Sequence, residues 1–246
     1  VTEKVLLSDY QKIYGDIGQS KSIATILEYG ESTDYAPRRV IEVSKQDFKA
    51  AKGVLGIIGA GNFTKMTMLP ALSKANAEIK IIASAGGLSG TTLAKKFNIS
   101  QSTTSVREIL DDSDISSVLV TTRHNSHAKF AIDTLEKNKH VFVEKPIALN
   151  SNELSEVIKA ESKSTGSVTV GFNRRFSPHI KAIKNSVSYA QMNIIATMNA
   201  GFIPSNIWVQ DMEVGGGRII GEACHYMDLC VYLTGSKIKS VCMQGM

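Results

Sequence analysis

From Val54 to Phe172 short apolar runs alternate with amphipathic stretches, and this alternation constrains the fold more than anything else in the chain. "VLGIIG" (54–59), "IKIIAS" (79–84), "ISSVLVTT" (115–122), "HVFVE" (140–144) and "SVTVGF" (167–172) read as buried strands. The segments between them, 62–75, 89–97, 106–112, 126–138 and 151–164, carry helical periodicity, with Pro70 expected to bend or interrupt the first. Strand and helix in strict turn predict βαβ units and a doubly wound parallel α/β sheet over residues 53–172.

The first strand runs directly into "GAGNFT", with Gly59 and Gly61 spaced as Gly-x-Gly at the start of a helix. In that context Gly59 permits a tight turn and Gly61 lets the backbone approach a pyrophosphate, which meets the free N–H groups of the helix. Thr64 stands at the third glycine position, so the packing there is looser or the local register differs. The second strand ends at Ser84, with neither carboxylate nor arginine, which leaves NAD and NADP both open.

Outside this core, "VLLSDYQKIYGD" (5–16) is expected as a helix with Val5, Leu6, Tyr10, Ile13 and Tyr14 on one side. Residues 22–29 and 39–44 alternate like strands, with loop chemistry at 30–39. After Phe172 a helix in "SPHIKAIKNSV", a long strand in "AQMNIIATMNAGF", a helix in "GGRIIGEACHYMDLCVYLTG" and the start of a strand in "KIKSVCMQGM" suggest a second, α+β domain. Residues 1–35 are expected to end a preceding domain, 36–52 to link, and 173–246 to form part of a substrate or oligomerisation domain. The first residue is Val rather than Met, and together with the short second domain this leads to the expectation of a piece from a longer protein.

Composition excludes more than it assigns. No apolar run approaches the ~18 residues of a membrane span. The net charge of +5 is scattered rather than clustered as a nucleic-acid footprint requires. Three cysteines without Cys-x-x-Cys spacing suggest a reducing cytoplasm and give a metal site no support.

Four ordered segments, "GAGNFT", "TTRHNSHAKFAIDTLEKNKHVFVEKP", "GFNRRFSP" and "GGGRIIGEACHYMDL", resemble the glucose–fructose oxidoreductase/inositol dehydrogenase (Gfo/Idh/MocA) family over residues 53–246. The resemblance implies an N-terminal Rossmann domain and a C-terminal domain with a mainly antiparallel sheet. It implies hydride transfer between NAD or NADP and a hydroxyl of a sugar, sugar nucleotide or cyclitol. Lys145 then matches the family's active-site lysine and His225 its proton-transferring histidine. Chemistry asks for the same parts: a base on the hydroxyl that loses hydride, and a cation near the developing oxyanion. The family commonly carries Asp four residues before the histidine, where this chain has Gly221. Glu222, three residues before His225, is the expected displaced carboxylate, and Asp228, three after, is the other candidate.

The expected cofactor contacts are Gly59, Gly61, Asn62, Phe63, Ser84, Thr122, His127 and Glu144. The expected substrate contacts are Lys145, Arg174 and His225, and the catalytic set is Lys145, His225 and Glu222, with no metal. Arg174 and Arg175 are equally consistent with an anionic sugar nucleotide or a salt bridge between domains. Arg123 is placed to meet a phosphate or carboxylate, His127 to orient its loop, and His124 is read as readily as solvated. Trp208 is either a sugar-stacking or a core residue, and Cys224 faces away from His225's side of the helix. The expected partners are a small sugar-like molecule and further copies of the chain through the C-terminal sheet. Two alternatives share the scaffold: an NAD-dependent glycosidase, and a cofactor-binding or assembly module without turnover. A second, weaker resemblance links "LLSDYQKIYGDIGQSKSIATILEY" to the last helix and strand of a zinc-type medium-chain alcohol dehydrogenase domain.

Overall fold

The computed structural model describes residues 3–15, 23–28, 39–48, 53–187 and 192–244. It divides at Arg38/Arg39 into two compact units. In the first, β1 (Glu3–Leu6) and β2 (Thr25–Glu28) pair in parallel, with helix α1 (Tyr10–Gly15) between them in sequence. Val5 and Leu6 therefore lie in a strand, not on the expected helix face. Their partners in the ladder are Leu27 and Glu28, and that pairing overrides a helical period shared with Tyr10 and Ile13. Most of the loop read at 30–39 lies outside the described residues.

The second unit is built on β3 (Val40–Glu42), β4 (Leu55–Ile58), β5 (Ile79–Ala83), β6 (Gln101–Thr103), β7 (Ser117–Val120), β8 (His140–Val143) and β9 (Val168–Val170). Their order is β3-β6-β5-β4-β7-β8-β9. Only β3 runs antiparallel, so the stretch read as a linker supplies an edge strand. The six parallel strands follow the Rossmann order, with the reversal between β4 and β7, where open α/β sheets bind ligands at their carboxyl ends.

Helices α2 (Leu69–Lys74), α3 (Leu88–Phe97), α4 (Arg107–Leu110), α5 (His127–Glu136) and α6 (Ser151–Lys163) connect the strands. The sheet is buried on both faces. Ile58, Ile81, Val118, Val120, Val141 and Val143 pack with Ala131 and Leu135 in one cluster; Ile57, Ile82 and Leu119 pack with Leu69, Leu93 and Ile99 in the other. Two-sided burial explains why these strands read as unbroken apolar runs.

β6 was not legible by that criterion, because its buried residues are Ser102 and Thr103. Their hydroxyls are satisfied instead: Ser102 pairs with Thr91 at 2.7 Å and Thr103 donates to the Arg39 carbonyl at 2.7 Å. Pro70 does not break its helix. A wide π-helical turn, Thr64–Met68, precedes it, and the Leu69 N–H reaches back five residues to Thr64 O.

Beyond Phe172 lie α7 (Pro178–Ser186) and α8 (Cys224–Thr234), the latter entered through a second π-helical turn at Ile219–Ala223. The strands expected within 190–202 and from 237 form no ladder among the described residues (Ala190, Gln191, Gly245 and Met246 lie outside them). Strand propensity becomes sheet only where a neighbouring strand accepts the backbone hydrogen bonds. Among the described residues no helix is long and apolar enough to cross a membrane.

Candidate active site

The site grows from the carboxyl ends of four adjacent strands. One residue past each strand the hydrogen bonding continues: Gly59 N to Ala83 O, Thr121 N to Ile58 O, Glu144 N to Val120 O and Gly171 N to Val143 O, all 2.8–2.9 Å. The sheet thereby fixes the start of every loop that carries a functional side chain.

At the first loop Gly59 adopts φ +113°, and a Cβ there would stand 2.8 Å from the Thr121 carbonyl carbon. Only glycine lets β4 and β7 approach so closely at the reversal point. Gly61 is the opposite case, since a Cβ there would meet nothing within 4 Å. The helix starts directly after it, and the first-turn N–H groups, at Asn62 and Phe63, lack intrahelical acceptors. These features fit a dinucleotide pyrophosphate. Thr64 is fully buried, and its hydroxyl donates to Gly59 O (2.9 Å) and lies 2.7 Å from Thr121 Oγ1. The packing is therefore tight rather than loose; the altered register is the π-helical turn that Thr64 begins. Ser84 Oγ accepts from Gly90 N at 3.1 Å, and its O–H has no acceptor among the described residues.

The loop after β7 turns inward. His127 is 1% exposed, and its ring lies between Pro146 O (Nδ1, 2.7 Å) and Thr122 O (Nε2, 3.1 Å). Burial holds it below the ordinary histidine range against those carbonyls. Thr122 itself is tied to Ser126 (2.6 Å). His124, read as readily as solvated, is only 8% exposed, and its Nδ1 meets the Gly215 carbonyl at 2.7 Å. Burial lowers its pKa to about 4, so the ring is neutral and carries its proton on Nδ1. Trp208 packs edge-on against it (4.8 Å), with Arg123 over the indole (5.7 Å). Nothing in the sequence singles out His124 beyond its place after an apolar strand.

Lys145 follows β8, its N–H donating to the Glu144 carboxylate (3.3 Å). Burial pushes the Glu144 carboxyl above its usual range. Lys145 Nζ donates to Gly221 O at 2.7 Å and to Glu222 Oε2 at 3.3 Å, and its third proton has no acceptor among the described residues. The other oxygen of Glu222 accepts from Arg174 (2.6 Å), which also donates to the Tyr226 hydroxyl (2.7 Å). Burial would raise the Glu222 pKa, but Lys145, His225 and Arg174 outweigh it and hold the carboxyl below its ordinary value.

Glu222 thus bridges Lys145 and Arg174 instead of hydrogen-bonding to His225. Asp228, the other candidate, is 8% exposed at its side chain and committed to Arg175. Both arginines after β9 therefore bridge to the start of α8. His225, 5% exposed and flanked edge-on by Phe172, keeps a buried Nδ1 with no hydrogen-bond partner among the described residues. Burial, then Lys145 and Arg174, hold it below the ordinary histidine range, with Glu222 and Asp228 partly offsetting. Its neighbour Cys224 is pushed upward by burial, away from a reactive thiolate. Among the described residues no three His, Cys, Asp or Glu side chains converge as metal ligands.

The three glycines before α8 are demanded by space. A Cβ on Gly215 would lie 2.5 Å from the Trp208 carbonyl oxygen, and Gly216 and Gly217 both adopt φ +72°.

Comparisons with known proteins agree with the order of the sheet. Residues 54–172 match the GFO_IDH_MocA family, described as an oxidoreductase family with an NAD-binding Rossmann fold. The uncharacterized oxidoreductase YrbE of Bacillus subtilis is 30% identical over 195 residues, covering 78% of this chain and 57% of its own length. The myo-inositol 2-dehydrogenase of Thermotoga maritima is 25% identical over 156 residues, covering 62% and 46% respectively. Levoglucosan dehydrogenase, solved in complex with NADH and levoglucosan, superposes with a TM-score of 0.64 at 27% identity over 74% of this chain and 54% of that one. The chain thus spans about half the length of the curated relatives it matches. Residues 54–172, where the strand order and the glycine turn lie, thus match the Gfo/Idh/MocA family of oxidoreductases and share its NAD-binding Rossmann fold.

Proposed function

We propose that this chain carries the cofactor-binding and proton-handling parts of an NAD-dependent dehydrogenase for a hydroxyl of a sugar or cyclitol. The observation that carries the reading is Lys145: two of its protons are anchored by Gly221 and Glu222, beside a buried neutral His225. Relatives named for myo-inositol and levoglucosan support the substrate class.

Gly59, Gly61, Asn62 and Phe63 would hold the pyrophosphate, Ser84 would donate to the ribose, and Thr122, His127 and Glu144 would shape the nicotinamide end. When bound, NAD supplies the hydride acceptor. Lys145 gives its third N–H to the substrate oxygen and stabilises negative charge there. His225 takes the hydroxyl proton at Nε2, because Nδ1 is enclosed. That tautomer places a proton on Nδ1 with no acceptor, which keeps the imidazole weakly basic. Glu222 balances Lys145 and Arg174, so that two cations stand near the oxyanion without expelling each other.

The test is NADH formation from myo-inositol, levoglucosan and a panel of free sugars, with NAD and NADP in parallel. Lys145→Ala and His225→Ala should each lower turnover by about a hundredfold or more, while NADH still binds. Full turnover in both variants would refute the site. For residues 1–35, the parallel β1–α1–β2 unit supports the reading as the tail of an alcohol-dehydrogenase-like domain. The coding sequence upstream of Val1 tests it.

A further inference from the structure

Position 221 lies four residues before His225, so a side chain there shares the histidine's helix face. Gly221 is buried, and a Cβ built on it would lie 3.1 Å from His124 Cε1 and 3.4 Å from His124 Nδ1. His124, from the loop after β7, already fills the volume that a residue-221 side chain needs.

We propose that His124 is a positioning residue for Lys145, standing in from another element for a side chain at 221. The inference rests on the reading of Lys145 as the group that meets the reacting oxygen.

Two hydrogen bonds tie the 124–127 turn to the glycine turn ahead of α8: His124 Nδ1–H to Gly215 O (2.7 Å) and Asn125 N–H to Val214 O (3.1 Å). The glycine turn leads within a few residues to Gly221, whose carbonyl is the shortest contact of Lys145 Nζ. At the other end of the same turn His127 meets Pro146 O, the residue after Lys145. One short loop therefore fixes both the lysine's backbone and its acceptor. The Gly215 carbonyl is buried, so losing its donor costs more than losing an exposed contact. Ring volume alone does not suffice; the N–H is required. A side chain at 221 and the imidazole at 124 also compete for space, since a Cβ at 221 already stands closer to the ring than ordinary van der Waals contact.

The test uses the full chain and needs no substrate. Lysines are acetylated with limiting acetic anhydride, and each site is quantified by mass spectrometry against exposed Lys129. His124→Phe, which keeps bulk without a donor, should raise Lys145 labelling by about threefold or more, and His124→Asn, whose amide N–H restores the donor, should return it. Unchanged Lys145 labelling in His124→Phe would overturn the proposal, as would failure of His124→Asn to rescue it. The second arm introduces Gly221→Asp with His124 present and with His124→Gly. The melting temperature should fall markedly in the first background and much less in the second; equal falls would overturn the proposal. Should His124→Phe not fold, this comparison decides alone. Lys145→Ala separates the two levels: if it leaves NADH formation intact, the catalytic reading fails, while labelling still reports whether His124 sets the lysine.

Discussion

A neutral imidazole held inside the protein makes acid destabilise the fold, and His124 permits the size to be worked out. Its ordinary value of 6.5 falls to about 4 in the folded chain. The folded state thus binds the proton less readily than the unfolded chain does. Stability from this group is complete above the unfolded value and is lost as pH falls from 6.5 toward 4. Between about pH 7 and about pH 5 the linkage relation gives a loss of about 2 kcal/mol from His124 alone. His127 and His225, also lowered, add losses of the same sign; Glu144, raised by burial, opposes them. His124→Asn isolates the term, because the amide keeps a donor for Gly215 O and does not titrate. The assay is urea unfolding at both pH values, read by fluorescence. Trp208, the only tryptophan, lies 4.8 Å from the His124 ring and reports on that contact directly. Wild type should lose about 2 kcal/mol more than His124→Asn over this interval. Identical losses in the two proteins would refute the neutral buried assignment.

Other outcomes follow from the same geometry. Gly59→Ala forces a side chain at φ +113° against the Thr121 carbonyl, so it should destabilise by about 2–5 kcal/mol and weaken NADH binding, measured by melting and fluorescence titration. Glu222→Gln removes a charge that supports His225 protonation. The acid limb of the kcat/KM profile should therefore move to lower pH, and a shift upward would contradict the geometry. Arg175→Ala leaves the Asp228 carboxylate buried without its partner and should cost about 2–4 kcal/mol in denaturant unfolding, with NADH affinity unchanged.

The sheet was legible because its strands are enclosed on both faces. Ile57, Val118 and Val143 announce burial by composition, and helical periods mark the layers above and below. Where enclosure is achieved by paired hydroxyls, as in β6, the apolar signal vanishes. Lys145 and His225 were found through resemblance of their surrounding segments, which periodicity alone does not single out. Glu222 bridges Lys145 and Arg174 rather than pairing with His225, because helix spacing gives the face and not the competing cations. Lys145 arrives from β8 and Arg174 from beyond β9, and together they take both carboxylate oxygens.

By itself, then, the sequence determined the alternating layers, the glycine turn at 59–61 and the segments that deliver the lysine and the histidine. Those features are local: apolar period, turn chemistry and spacing along one stretch of chain. Only the tertiary structure decided that His124 is interior, that it takes the space above Gly221, and that His225 Nδ1 has no hydrogen-bond partner among the described residues. Each of these depends on residues far apart in sequence meeting at contact distance, as His124 and Gly215 do across 91 positions. Close packing settles such meetings by volume, and volume at a contact is a property of both partners at once.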